Sequence, residues 1–256
     1  MIDLNNQKIK VPDPTQLYFE RPIVINQSLI IHQPSVGNII DFGEEQFYKM
    51  LYIFVGNTTM FRLSLWKSGI DWNKLSDYEL FCGTVTSLKP SDTFLLFGDL
   101  NFSQFKPQEI KVEEKEQIVL INEKQMIYID EDIYNQIAYN LRTMFNFFPK
   151  NEFARGRLTK EAMIWEEEEN LKMQQKQGYR PFLLSLISGC LNHPGFKYKK
   201  KELEDVGIFE FMDSVQRLQI YESATALLKG VYSGFVDASK IDKKEFDFMR
   251  ESKKTP

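Results

Sequence analysis

The stretch QIVLINEKQMIYIDEDIYNQIAYNLRTMFNFF, residues 117–148, decides the fold class of this chain. Its first part is two apolar runs around the polar residues 122–125, which is the pattern of a β-hairpin. Its second part has the spacing of an amphipathic helix, with Asp130 at the N-cap and Pro149 at the end. The apolar stripe of that helix comprises Ile133, Ile137, Leu141, Met144, Phe145 and Phe148. A hairpin joined to a helix predicts an α+β fold.

Most of the remaining chain has a helical pattern. In GEEQFYKMLYIFVG, residues 43–56, four apolar residues follow the i, i+3, i+4, i+7 spacing of a helix, and Gly56 marks its end. Apolar, helix-favouring segments recur at 181–192 and 206–234. The sequence therefore predicts a predominantly α-helical α+β protein whose C-terminal part is a helical bundle.

Two segments do not have a helical pattern. Residues 1–35 contain four prolines and loosely alternating apolar residues, which suits an extended arm or an edge strand. Residues 88–107, LKPSDTFLLFGDLNFSQFKP, consist of short apolar pieces between turns. We expect at most one strand there.

The chain changes character at residues 150–178, which favour a helix but have only a thin apolar stripe, formed by Leu158, Ala162, Trp165 and Leu171. Helices that are polar over most of their surface commonly bridge two parts of a molecule. The sequence thus predicts a mixed N-terminal domain at 1–149, with an arm at 1–35, then a linking helix at 150–178. A helical C-terminal domain follows at 179–256.

Composition bounds the class of protein. The 256 residues are 43% hydrophobic and 14% aromatic, enough for one large domain or two small ones with real cores. The net charge of −4 does not indicate a nucleic-acid binder. Cys82 and Cys190 lie far apart, which favours a reducing compartment over a disulfide framework. With a polar N-terminus and only short apolar runs, we expect no signal peptide, no membrane span and a cytoplasmic or particle-bound protein.

The sequence offers little catalytic apparatus. It contains no phosphate-binding loop, no nucleophile elbow and no H-E-x-x-H motif. Cys190 and His193 have a metal-like spacing, but the other candidate zinc ligands, Cys82 and His32, do not form a second pair. The basic loop PGFKYKKKEL, residues 194–203, resembles a single-strand-binding pattern, but acidic residues follow it at once. We expect no enzymatic activity, no metal and no cofactor.

The stretch WKSGIDWNKLSDYELF, residues 66–81, raises the question of an acidic site formed by Asp71, Asp77 and Glu79. Each of these residues also has a local role available. Asp71 can cap a turn, Ser76 and Glu79 stand in capping-box spacing, and Asp77 sits favourably at the positive end of the helix dipole. We therefore predict a helix–turn–helix junction here and not a site.

Five segments carry a resemblance to a known group: GEEQFYKML (43–51), GIDWNKLSDYELF (69–81), LLFGDLNF (95–102), LISGCLNHPGFKYKKKEL (186–203) and FMDSVQRLQIYESATALLKGVYSGFVDASKI (211–241). In this order they resemble uncharacterised proteins of tailed bacteriophages of Gram-positive hosts, encoded among tail-assembly genes. The resemblance implies a tail assembly chaperone or a minor virion component that acts through protein–protein contacts. An intracellular nucleic-acid-binding or enzymatic phage factor is the remaining alternative.

A protein of this kind needs exposed apolar contact residues. The candidates are Trp165 on the thin stripe of the linking helix, and Phe196 and Tyr198 in the basic loop. The expected partners are other phage structural or tail proteins, with a homo-oligomer as a further option and without nucleic acid or membrane. The expected location is the host cell cytoplasm, with the virion as the alternative.

Overall fold

A computed structural model describes residues 13–112 and 115–250 of the chain. This part of the chain is predominantly helical and contains two small sheets, which confirms the predicted α+β class. Its α-helices are α1 Pro14–Tyr18, α2 Val36–Phe42, α3 Glu44–Val55, α4 Arg62–Lys67, α5 Asp77–Val85, α6 Pro90–Phe97, α7 Glu131–Met144, α8 Arg157–Gln177, α9 Phe182–Leu191, α10 Lys200–Leu203 and α11 Ile208–Tyr232.

Both sheets are antiparallel. The first pairs β1 Ile23–Val24 with β2 Ile30–Ile31, and the second has the order β3 Lys106–Val112, β4 Lys115–Asn122, β5 Ile127–Ile129. The hairpin predicted around residues 122–125 is confirmed, because β4 and β5 pair with Leu120 opposite Ile129. Strand β3 lies outside that prediction and makes the larger ladder with β4.

Local capping signals account for several helix starts. Glu79 accepts a hydrogen bond from the Ser76 amide at 2.7 Å, and Ser76 Oγ accepts one from the Glu79 amide at 3.1 Å, so the predicted capping box of α5 is confirmed. Asp130 caps α7 through a 2.8 Å bond from the Ile133 amide. These bonds satisfy amides that the first helical turn leaves unpaired.

The expectation of at most a strand at 88–107 is wrong for residues 90–97, which form α6. Pro90 occupies the first turn, where a missing amide hydrogen costs nothing, and Asp92 accepts a 2.9 Å bond from the Lys89 amide. The helix ends at Gly98, whose φ of 58° suits a residue without a side chain. The proline thus begins a helix and does not break one.

The N-terminal arm predicted at 1–35 lies partly outside the described residues, since residues 1–12 are not among them. From residue 13 onward the segment forms α1 and the β1–β2 hairpin. Asp13 caps α1 and Pro14 occupies its first turn. Leu17, Leu29 and Ile31 are buried in the main core, so this part of the segment packs on the rest of the molecule.

The main core draws on residues from both the predicted N-terminal and C-terminal domains. It includes Phe54, Phe81 and Phe102 as well as Leu183 and Phe211. Backbone hydrogen bonds also join the two regions: the Val36 amide donates to Val206, the Gly37 amide to Glu204 and the Ile208 amide to Pro34, at 2.9–3.0 Å. The division into domains at 149 and 179 stays a prediction. The main core contains residues from both sides of that division.

A second, smaller core lies where α8 packs on α4. Its buried members are Leu63, Leu65, Trp72, Leu80, Ala154 and Ile164. Ile164 is the only buried residue that α8 itself supplies. The long polar helix is therefore attached to the molecule along one narrow line of contact.

Candidate interaction surfaces

The inner face of α8 is held mainly by ion pairs. Lys160 Nζ lies 2.6 Å from Asp71 Oδ2 and 5.5 Å from the centre of the Trp72 ring. Lys67 pairs with Glu168 at 3.1 Å, and the Arg62 guanidinium contacts both Glu152 and Glu167. Part of the 166–169 acidic run thus faces basic residues of α4. These pairs fix the orientation of α8 and leave its other face to solvent.

The outer face of α8 carries the predicted contact residue Trp165, whose side chain is 66% exposed. Leu158, seven residues earlier, and Met173, eight residues later, are exposed on nearly the same side of the helix. Leu171 belongs to the opposite side, which also carries Ile164. The exposed apolar stripe is therefore Leu158, Trp165 and Met173, and only part of the sequence-predicted stripe belongs to it.

The acidic residues of 66–81 do not converge on a site. Asp71 accepts from the Asn73 amide at 3.2 Å, as a turn cap does, and also binds Lys160. Asp77 accepts from the Thr58 amide at 2.9 Å, a role that the sequence did not reveal. Glu79 completes the capping box. Among the described residues, no group of three His, Cys, Asp or Glu side chains is placed to hold a metal ion.

Replacing Asp71 by Asn should loosen the attachment of α8. The hydrogen bond from Lys160 lowers the pKa of the Asp71 carboxyl below its ordinary 3.8, so the charged form is favoured in the folded chain. Because both partners are partly solvated, we expect the free energy of unfolding to fall by only about 1 kcal/mol. Urea denaturation followed by circular dichroism measures this change.

The matched control is Glu161→Gln, which removes an exposed pair with Arg157 and should change stability by less than about 0.5 kcal/mol. The Asp71 contribution is present above pH 3.8 and disappears as the pH falls through the lowered pKa, so the difference from Asp71→Asn should vanish in acid. Equal losses for the two variants at neutral pH would show that Asp71 does not attach α8.

The loop 192–199 places the other two predicted contact residues, Phe196 and Tyr198, against the molecule. Both are half-buried and pack on the main core, and their rings meet edge to face at 5.8 Å. The Tyr198 hydroxyl donates to Glu210 on α11. Neither side chain therefore has the exposure of Trp165, and both hold the loop to α11.

Lys197 is the charged centre of this loop. Its ammonium lies 2.8 Å from Glu210, 4.6 Å from the Tyr198 ring centre and 5.8 Å from that of Tyr18. Burial works to lower the pKa of Lys197, but hydrogen bonds to Glu210 and Tyr198 outweigh it and raise that pKa. The ammonium of Lys197 is thus occupied by contacts within the chain.

A groove lies between the start of α3 and the segment leading into α9. Its volume is about 720 Å³. Its apolar lining consists of Ile40, Pro181, Leu183, Leu184 and Ile187, with the ring of Tyr179. Leu184 on α9 and Ile40 on α2 are 61% and 49% exposed.

The rim of the groove is mainly acidic. Glu44 and Glu45 line it from the first turn of α3, and Lys49, the basic residue of the lining, pairs with Glu45 at 2.6 Å. Glu44 also accepts a 2.9 Å bond from the Leu183 amide, which ties the two walls together. Burial, assisted by Glu44, raises the pKa of Tyr179 to about 12. The groove is therefore an apolar trough with negative charge at one edge.

The two cysteines and His193 have ordinary structural environments. Burial raises the pKa of the Cys82 thiol to about 11 and raises that of Cys190 as well, so neither favours the reactive thiolate. His193 Nδ1 accepts from the Gly195 amide at 3.0 Å, and Nε2 lies 3.1 Å from Glu222. Both ring nitrogens thus have protein partners.

Residues 172–253 match the family model of the YomV second domain. The match covers about a third of the chain and shows what this region is similar to. No curated protein and no solved structure matches the chain.

The YomV second-domain match can be placed on the surfaces described above. It begins inside α8, after Trp165, and contains α9, α10 and α11. The groove therefore has its α9 wall inside the matched region and its α3 wall outside it.

Among the described residues, no helix is long and apolar enough to cross a bilayer.

Proposed function

We propose that this protein acts through protein–protein contacts in phage tail morphogenesis, in the manner of a tail assembly chaperone. The observation that carries the proposal is the apolar groove between α3 and α9, with Leu184 and Ile40 exposed on its walls. Exposed, contiguous apolar surface next to polar rims is typical of interaction sites. The YomV second-domain match, which points to a phage-type family, supports the phage setting.

The chemistry of the groove indicates its partner. An apolar trough of this size accommodates several aliphatic or aromatic side chains of a partner segment, and the glutamates at its rim favour a basic residue beside them. We therefore expect an apolar segment with Lys or Arg on one flank, supplied by another tail protein. The stripe of Leu158, Trp165 and Met173 offers a second contact area on α8.

Capture from infected cells tests this proposal. The tagged chain should co-purify with phage tail proteins, identified by mass spectrometry, and Leu184→Asp should reduce their recovery at least about tenfold because it places a charge in the apolar groove. Trp165→Ala should reduce recovery less. Both side chains are largely exposed, so the melting temperature should change little.

Met126→Asp is the control, because Met126 is 89% exposed in the β4–β5 turn, outside both surfaces. It should leave recovery of tail proteins unchanged. If the Leu184→Asp protein is folded and still recovers tail proteins normally, the groove does not bind them. A Trp165→Ala change that lowers the melting temperature more than it lowers recovery would identify Trp165 as a core residue.

Proteomics of purified virions separates a chaperone from a minor virion component. A tail assembly chaperone should be absent from mature particles. If this chain occurs in particles at a fixed stoichiometry, the chaperone role is excluded and a structural role in the tail or connector replaces it. Binding of DNA or RNA with a steep salt dependence would instead support the nucleic-acid alternative.

A further inference from the structure

The C-terminal half of α11 exposes an apolar stripe, and one of its residues, Tyr221, also meets the ring of Phe248. Tyr221, Leu228 and Tyr232 are 50%, 37% and 86% exposed, and Thr225 is half-buried. These four residues follow the i, i+4, i+7, i+11 spacing that keeps side chains on one face of a helix. The stripe has the pattern of a helix that packs lengthwise against a second helix.

A further exposed aromatic residue, Phe235, follows the end of this helix. The Gly234 amide donates to Val231 and the Phe235 amide to Gly230, both at 3.0 Å, which is the hydrogen-bond pair of a Schellman motif. The residue in the position of Phe235 usually packs on the side chain at the position of Gly230. Because glycine has no side chain there, Phe235 is 90% exposed on a hydrogen-bonded backbone.

Two opposite charges border the stripe on the same flank. Glu222 and Lys229 are seven residues apart, two helical turns, and both are exposed. Glu222 lies 3.1 Å from His193 Nε2 and keeps 58% of its side chain exposed. Within the described residues, Lys229 makes no ion pair. The point midway between Glu222 and Lys229 lies only one residue, about 1.5 Å along the helix axis, from the point midway between Tyr221 and Tyr232. The charges and the stripe are therefore centred on nearly the same place.

We propose that two copies of this chain associate through the C-terminal halves of their α11 helices, antiparallel about a two-fold axis. In an antiparallel pair the same flank of each helix faces its counterpart, so Glu222 of each copy lies near Lys229 of the other. In a parallel pair this flank of one helix would lie on the opposite side of the interface from the same flank of the other, so Glu222 and Lys229 would have no charged counterpart from this flank. With the axis at the middle of the stripe, Tyr221 of one copy packs on Tyr232 of the other, and Thr225 packs on Leu228.

The size of the surface sets the expected strength. The stripe spans about 17 Å, and a single pair of helices over this length buries less than the roughly 1,200 Å² of a stable interface. Phe248, which meets the Tyr221 ring edge on at 6.1 Å, extends the apolar area beside it. The dimer is therefore weak and concentration-dependent. The inference concerns a surface separate from the groove and does not rest on the proposed tail function.

Sedimentation velocity of the full chain over a wide concentration range tests the pairing. The unaltered protein should show a monomer–dimer equilibrium, and Tyr232→Ala should weaken it at least about tenfold. Lys229→Glu and Glu222→Lys should each weaken it about four- to thirtyfold, because two attractive pairs become repulsive. An equimolar mixture of these two charge variants should associate again, since every cross-pair in it is attractive.

Recovery of association in the mixture is the decisive result, because it requires Glu222 of one copy to face Lys229 of another. Leu184→Asp serves as the control and should associate like the unaltered chain. Three outcomes would overturn the inference: a chain that stays monomeric at all concentrations, charge variants that associate normally, or a mixture that does not recover. Capture of a tail protein through the groove would be unaffected by any of them.

Discussion

Replacing Phe54 by Ala should lower the free energy of unfolding by about 3–5 kcal/mol, the usual cost of removing a buried phenylalanine ring. Phe54 lies on α3 and is fully buried. Its ring centre is 4.8 Å from that of Phe97, 5.2 Å from that of Phe102 and 5.8 Å from that of Phe81. The cavity would thus open at the meeting point of α3, α5 and α6. Urea denaturation followed by circular dichroism measures the loss.

The control for this variant is Phe153→Ala, whose ring is 71% exposed and whose loss should change stability by less than about 0.5 kcal/mol. If Phe54→Ala does not fold well enough for measurement, Phe54→Leu retains part of the volume and should lose about 1–2 kcal/mol. A loss below about 1 kcal/mol for Phe54→Ala would contradict the placement of α6, because Phe97 reaches Phe54 only from that helix.

The features that the sequence predicted correctly depend on residues within a few positions of one another. The capping box of Ser76 and Glu79, the cap at Asp130 and the hairpin around 122–125 each combine neighbouring residues into one local structure. Such signals act before any tertiary contact forms, so they can be recognised in a single chain. The predominantly helical α+β class follows from their sum.

The features that the sequence did not predict depend on distant partners. Pro90 was compatible with a turn or a helix start, and burial of Phe97 beside Phe54 favours the helix. Asp71 meets Lys160 across 89 positions of the chain, and no spacing rule links them. Strand β3 is weakly apolar and is defined by its pairing with β4. These elements become clear only when the partner is known.

Surface exposure was predictable only in part, for the same reason. The polar composition of α8 correctly indicates that Trp165 faces solvent. The basic surroundings of Phe196 and Tyr198 suggest exposure as well. The hydrogen bond from the Tyr198 hydroxyl to Glu210 on α11 instead holds that loop against the molecule. Helix α9 is mostly apolar and yet exposes Leu184, because its buried residues, Leu183 and Cys190, lie on another side of the helix. The groove was therefore not visible in the sequence.

Replacing Gly37 by Ala should destabilise the protein by about 2 kcal/mol, although alanine favours a helix over glycine by about 1 kcal/mol. Gly37 lies in the first turn of α2, and its amide donates to the Glu204 carbonyl oxygen at 2.9 Å. A Cβ atom at Gly37 would lie 2.7 Å from that oxygen, closer than real Cβ contacts. The added methyl group would thus push the chain before α11 away from α2.

Gly189→Ala in α9 is the matched control, because a Cβ atom there meets no other atom within 4 Å. It should stabilise the protein by about 0.5–1 kcal/mol through helix propensity alone. Thermal unfolding of both variants gives the comparison, and opposite signs are expected. If Gly37→Ala also stabilised the chain, α2 and the segment at 204–208 would not pack together as closely as the bond from the Gly37 amide to Glu204 requires.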